Sequence, residues 1–441
     1  MHKWVIFRLV VVWMLCGGML QTNAARAALT LESSFNVTQT YTDNLFFEPN
    51  NTKSDLGTFL GPNFTLRYDN PDIVLGGTYF GRLLLFAKNS NENTYFQSAN
   101  VLLDLPFLTK QYKGLTVKIN ESMTFTPVLD AFALSGAQDI SSITTPQGAV
   151  GGGRDESQES GFSQGVGGTQ GVFTSRASAF NNIGGITFGY VLLPRFSPTL
   201  QYQNLYRHFF SGDFQDSMTQ SGSLSLPYRV TAQTTVSPSY TYWQTKFLGQ
   251  STASTSADKI ISHNPSLAIS HSLSPSLTVT ANGGVAFVKQ KNAEEDGMDL
   301  SGKWQTVYMG GFSIMKTYHE GKGGTASLDA RQIVGSGGGL AAQATRTRVI
   351  TGRIQHRFSQ QIYPFAAVAY AQNNSVDGDA FDTDTYRIQV GLNYSFKYWL
   401  IGTLNYSHLD QRSKGSAAND LQVNQVFLGL TAIADPWVLM R

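Results

Sequence analysis

The chain has 441 residues, of which 14% are charged, 41% apolar and 12% aromatic, with a formal net charge of +2. Soluble domains carry roughly 25% charged and ~45–50% apolar residues, so this chain is too poor in charge for one and too poor in apolar residues for a helical membrane bundle. The near balance of charge gives no basis for nucleic-acid binding. Gly, Ser, Thr, Asn and Gln fill the gap, a composition suited to strands with one apolar and one neutral polar face.

Residues 1–27 read as a cleaved secretory leader. His2, Lys3 and Arg8 form a basic start, "LVVVWMLCGGML" is the apolar centre, and Ala25 to Ala27 offer a small-residue cleavage site. The apolar centre is short of the ~20 residues that a membrane helix needs. Cys16 is the single cysteine, and "WMLC" lacks the small residues of a lipidation site. The mature chain, 28–441, is therefore expected to be one domain without disulfides, thiolate metal sites or covalent haem.

Beyond the leader the recurring signal is period two. "SSFNVTQTY" alternates Phe35, Val37 and Tyr41 with polar residues, and Asp43-Asn44 then falls where a strand meets a loop. Tyr41, Phe46 and Phe47 are expected in an interfacial aromatic girdle. In "LTVKINESMTF" and "YRIQVGLNYSF" the alternation runs ten or more residues, beyond the roughly five or six of soluble strands and at the ~9–11 that a membrane strand needs. Glu121 falls on the apolar register of its strand, which predicts a bulge or a shifted register there. Long polar connections such as "EPNNTKSD", "QKNAEEDGMD" and "DQRSKGSAAND" alternate with short ones such as "YDNPDI", "SLSPS" and "SFKYW". This asymmetry is that of outer-membrane barrels, with long outer loops and short periplasmic turns. The expected fold is all-β: a transmembrane antiparallel up-and-down barrel of about eighteen strands, or sixteen if two weak runs are loops, with both termini periplasmic.

A leader followed by "YTDNLFF", a polar loop and "DLGTFLGPNFTLRYDNPDIVLGGTYFGRLLLF" resembles outer-membrane β-barrel porins encoded beside exopolysaccharide and exosortase systems. The similarity covers about the first hundred residues. It implies an outer-membrane barrel, with export of a surface polysaccharide and polysaccharide-export partners as expectations. The carboxyl end departs from the usual terminal aromatic strand: "ADPWVLMR" runs past the expected last strand, requiring an internal assembly signal or a tail tucked into the pore.

Candidate chemistry is thin. "GVGGTQG", residues 165–171, does not join a strand to a helix as a dinucleotide loop must, and "EGKGGT" around Lys322 lacks the upstream glycine of a phosphate loop. Asp377, Asp379, Asp382 and Asp384 miss the EF-hand spacing and its closing Glu. Ser407 and His408 are adjacent on a strand and so point to opposite faces, which leaves a barrel hydrolase without its nucleophile–base pair. No catalytic residue, metal site or cofactor is expected. What remains is the inner wall, where the polar register places Arg67, Lys118, Arg207, Arg331, Arg353, Arg357 and Arg387. A basic lumen favours anions. The longest unpatterned stretch, 127–180, reads as the third outer loop, with two fates open: folding into the pore, where Asp155, Glu156 and Glu159 would narrow the passage against those cations, or extending outward as a flexible surface segment. The expected function is a porin-like channel for polar or anionic solutes, in contact with outer-membrane lipid, lipopolysaccharide and the barrel assembly machinery. The alternatives are a surface structural or adhesion barrel without an open pore, and a barrel hydrolase.

Overall fold

The computed structural model describes residues 28–126, 178–210, 215–248, 257–292, 302–318, 323–336, 344–376, 381–415 and 420–440. The strands in chain order are β1 (Ala28–Thr42), β2 (Asp55–Asp69), β3 (Val74–Phe86), β4 (Thr94–Asp104), β5 (Leu115–Thr126), β6 (Ala179–Tyr190), β7 (Thr199–Phe209), β8 (Asp216–Ser225), β9 (Tyr228–Arg229) and β10 (Thr234–Leu248). They continue as β11 (Ala257–Ser274), β12 (Leu277–Asn292), β13 (Gln305–Tyr318), β14 (Gly324–Ser336), β15 (Ala344–Gln355), β16 (Ile362–Ser375), β17 (Phe381–Lys397), β18 (Leu400–Gly415), β19 (Leu421–Ile433) and β20 (Trp437–Met440). Each long strand pairs antiparallel with its sequence neighbours, and β19 pairs with β1. The wall is thus a closed barrel of eighteen long strands, β9 and β20 being short extensions of it. Among the described residues, helix is confined to Pro106–Gln111 and the single turn Ser90–Glu92.

Closure follows from the environment that the alternation implies, since lipid cannot hydrogen-bond an open strand edge. Strand β17 shows the pattern: Tyr386, Ile388, Val390, Leu392 and Phe396 face outward and are exposed, while Arg387, Gln389 and Asn393 face inward. Tyr386 and Phe396 lie ten residues apart, about 25 Å along the barrel axis at a rise of ~3.3 Å and a tilt near 40°. That is the height of the apolar band of a membrane barrel. Exposed Tyr41, Tyr95, Tyr308 and Tyr406 join the loop-end girdle, and Tyr190, Tyr228, Phe358, Trp399 and Trp437 the turn-end girdle.

Following hydrogen-bonded partners once round the wall returns to β1 displaced by about 22 residues, which gives a tilt near 40° and a backbone radius of about 17 Å. Several strands run well beyond ten residues, β11 reaching 18 and β17 reaching 17. Their loop ends carry outward charge at Lys259, Lys289, Arg412 and Lys414, so these ends project past the apolar band.

Three local expectations are corrected. Glu121 causes no bulge: the β4–β5 and β5–β6 registers run unbroken through Val101, Glu121 and Gly184. The carboxylate sits on the outer face, accepts a hydrogen bond from Asn182 Nδ2, and occupies the space that a Cβ on Gly184 would take. The carboxyl end is not tucked inside; Trp437 and Val438 pair with Leu31 and Thr30, extending the wall at the start of β1. Phe47 leaves the girdle and packs inward, as described next.

Candidate functional site: the inner wall

Asp43 and Asn44 close the seam between the first and last long strands. The Asp43 carboxylate accepts the Asn424 backbone N–H at 2.8 Å and its side-chain amide at 2.6 Å. Asn44 is 1% exposed; its Nδ2 donates to the carbonyls of Glu48 and Gln422, and its Oδ1 accepts the Glu48 N–H. These bonds turn the first loop inward, with Phe47 at φ 55°. Phe47 then packs on Val349, Ala371, Leu409, Leu421 and Val423, all on the inner face of β15, β16, β18 and β19. A second inner cluster, Trp243, Phe247, Ile260, Ala286 and Val288, covers β10 to β12. The inner wall is therefore apolar in two sectors towards the loop end, with a further group of phenyl rings on β2 to β4 and mainly polar side chains elsewhere.

The sequence-predicted cations fall as follows. Arg67 lies on the inner face of β2 near the turns and pairs with Asp69 at 2.6 Å. Lys118 faces inward on β5 directly across from Asp104. Arg207 faces inward on β7, its Nε donating to Asn181 Oδ1 at 2.7 Å. Arg331 is on the inner face of β14, 3.7 Å from Asp329. Arg353 faces inward on β15, with Ser327 and Ala367 as cross-strand neighbours. Arg387 faces inward on β17 and donates from Nε to Ser407. Arg357 lies beyond the end of β15, in the turn-end connection, with its guanidinium over the Tyr363 ring. Asp155, Glu156 and Glu159 lie outside the described residues.

On the long strands the register adds one cation that sequence reasoning missed, Arg82 on the inner face of β3. It is hidden in "GRLLLF", where Leu83, Leu84 and Leu85 erase the alternation. Inward carboxylates are Glu32, Asp69, Asp104 and Asp329, with Asp55 at the loop-end rim binding the amides of Leu56, Lys88 and Asn89. Three of those inward acids stand at the turn end near Arg67 and Lys118. From mid-height towards the loops the strand wall presents Arg82, Arg207, Arg331, Arg353 and Arg387 against Asp329 and the rim Asp55. The charge excess is thus a matter of guanidinium groups in one half of the barrel.

Other candidates resolve structurally. Ser407 faces inward as the partner of Arg387, while His408 faces outward with Nδ1 2.8 Å from Asn424 Oδ1. Asp382 accepts from Asn374 and Asp384 from the Tyr370 hydroxyl, on the outer face; Asp377 and Asp379 lie outside the described residues. Among the described residues no three His, Cys, Asp or Glu side chains gather as metal ligands would.

Apolar outer face, polar inner wall and closed ladder define a transmembrane β-barrel of eighteen strands. No family profile and no curated protein matches the sequence. Among solved structures it is similar to OccK9 (OpdG) of Pseudomonas aeruginosa, at 13% identity over 92% of this chain and 98% of that one, TM-score 0.46. It is also similar to OccAB3 of Acinetobacter baumannii, at 9% identity over 93% and 99%, TM-score 0.44. The outer membrane protein OpdK of P. aeruginosa gives 11% identity over 93% and 99%, TM-score 0.44. At these values, function has to be read from this chain's own residues.

Proposed function

We propose that the barrel is a bacterial outer-membrane channel for polar solutes, with a preference for anions. One observation carries this reading: between mid-height and the loop end, five inward guanidinium groups stand against two inward carboxylates on the strands, Asp329 and the rim Asp55. Lumen-facing positions tolerate charge of either sign, since Arg facing lipid costs roughly 2–4 kcal/mol at mid-bilayer. Tolerance accounts for the inward direction and not for the sign. A wall radius of about 17 Å belongs to barrels wide enough to hold water, and fixed charges on such a wall select ions by sign. Loops on one end and turns on the other support periplasmic termini, with lipopolysaccharide and the barrel assembly machinery as partners. The likeness of the first hundred residues to exopolysaccharide-linked barrels supports a polysaccharide as one cargo. The competing reading is a structural barrel closed at the loop end, and the inward-packed Phe47 favours it. Purified protein in planar bilayers separates the two: discrete conductance steps support the channel, and a membrane that stays silent with folded protein present refutes it.

A further inference from the structure

Arg82 differs from the other inner-wall cations in its surroundings. Its guanidinium carbon lies 4.3 Å from the centroid of the Phe80 ring, on the same face of β3. Its Nε is buried without a hydrogen-bond partner, and Arg82 forms no ion pair among the described residues. The inward neighbours on β2 are Phe59, Gly61 and Asn63, and those on β4 are Thr94, Phe96 and Ser98. All are neutral. Phe96 meets Phe80 edge-to-face at 5.5 Å, and Phe59 meets Phe86 at 6.3 Å. Three adjacent strands therefore place phenyl rings and a cation without a counter-charge among the described residues together on the inner wall of the barrel.

Neither half of this patch is explained by the fold. Phe59, Phe80 and Phe96 are only partly buried on the inner wall, and the apolar area left open gains nothing until something apolar covers it. A guanidinium without a carboxylate keeps its planar fork of donors, the geometry that binds a carboxylate through two parallel hydrogen bonds. A ring stacked on one guanidinium face leaves the in-plane donors of the two terminal Nη groups, beside the buried Nε. We propose that Arg82, Phe80, Phe96 and Phe59 form a solute subsite for a carboxylate carried on a flat aromatic ring: Arg82 takes the carboxylate and the phenyl groups take the ring. The subsite rests on the channel reading, because the lumen is the solute's route to it.

The test is saturation-transfer NMR on the full-length protein in detergent, titrated with benzoate, acetate and benzyl alcohol. Benzoate should bind at least about tenfold more tightly than either partial analogue, because each lacks one half of the recognition. Arg82→Gln should weaken benzoate about tenfold, Arg82→Lys should weaken it less, and Phe96→Leu should weaken benzoate while leaving acetate unchanged. The gel shift of heated against unheated samples reports whether each variant is folded, and Phe96→Leu decides the matter if Arg82→Gln does not assemble. Equal binding of benzoate and acetate, or undiminished benzoate binding in both variants, overturns the proposal. Bilayer conductance of the same preparations keeps the two claims separate. Current without benzoate binding removes the subsite and keeps the channel, and benzoate binding without current does the reverse.

Discussion

Replacing Leu404 by Arg tests the direction of the wall. Leu404 is 52% exposed on the outer face of β18, and its cross-strand neighbours are Leu392 and Leu428, also outward and exposed. An arginine there faces lipid close to mid-height and should cost roughly 2–4 kcal/mol. The adjacent Thr403 faces inward, where its hydroxyl donates to Asn393 Oδ1 at 2.8 Å. Thr403→Arg loses that bond, about 1 kcal/mol, but delivers its charge to water. Both variants would be unfolded by guanidinium in the presence of lipid vesicles and followed by tryptophan fluorescence. Leu404→Arg should be the less stable by at least about 1 kcal/mol. Equal destabilisation, or a larger effect at Thr403, would refute the assignment of outer and inner faces.

The same unfolding measurement checks the seam. Asn44→Ala removes three hydrogen bonds from a buried side chain and should cost about 2 kcal/mol; a change below about 0.5 kcal/mol would show that the first loop is held some other way. Gly61→Ala places a Cβ against the Gly81 carbonyl on the neighbouring strand, and backbone cannot yield as a side chain does, so a loss of about 1–3 kcal/mol is expected. Joint replacement of Arg331, Arg353 and Arg387 by Gln should lower anion preference in bilayer recordings while the heat-dependent gel shift stays unchanged. An unaltered preference would place selectivity elsewhere.

Period two exposed most of the barrel because one side of each strand meets lipid and the other water, and the binary pattern records that contrast directly. Lengths and loop asymmetry then supplied the strand number. The pattern failed where a residue answers to something other than the two solvents. Arg82 sits beside three consecutive leucines, one of which, Leu84, faces inward and erases the contrast. Trp243 and Val349 face inward yet are buried in apolar clusters built from several strands, so their surroundings are set by contacts far apart in the chain. Glu121 was legible as an anomaly but not as a solution, because Asn182 and Gly184 lie 61 and 63 residues away on the next strand. The pairing of Trp437 and Val438 with β1 spans almost the whole chain, and a four-residue strand after Pro436 leaves no periodic signal. Asp43-Asn44 marked a rim in the sequence; its role as a clamp needed the position of Asn424.

The reversal potential of the unmodified channel across a potassium chloride gradient addresses the central claim most directly. With five inward guanidinium groups towards the loop end, the potential should lie on the chloride side of zero and move towards zero as total salt rises and screens the wall. A potential on the potassium side would contradict the account.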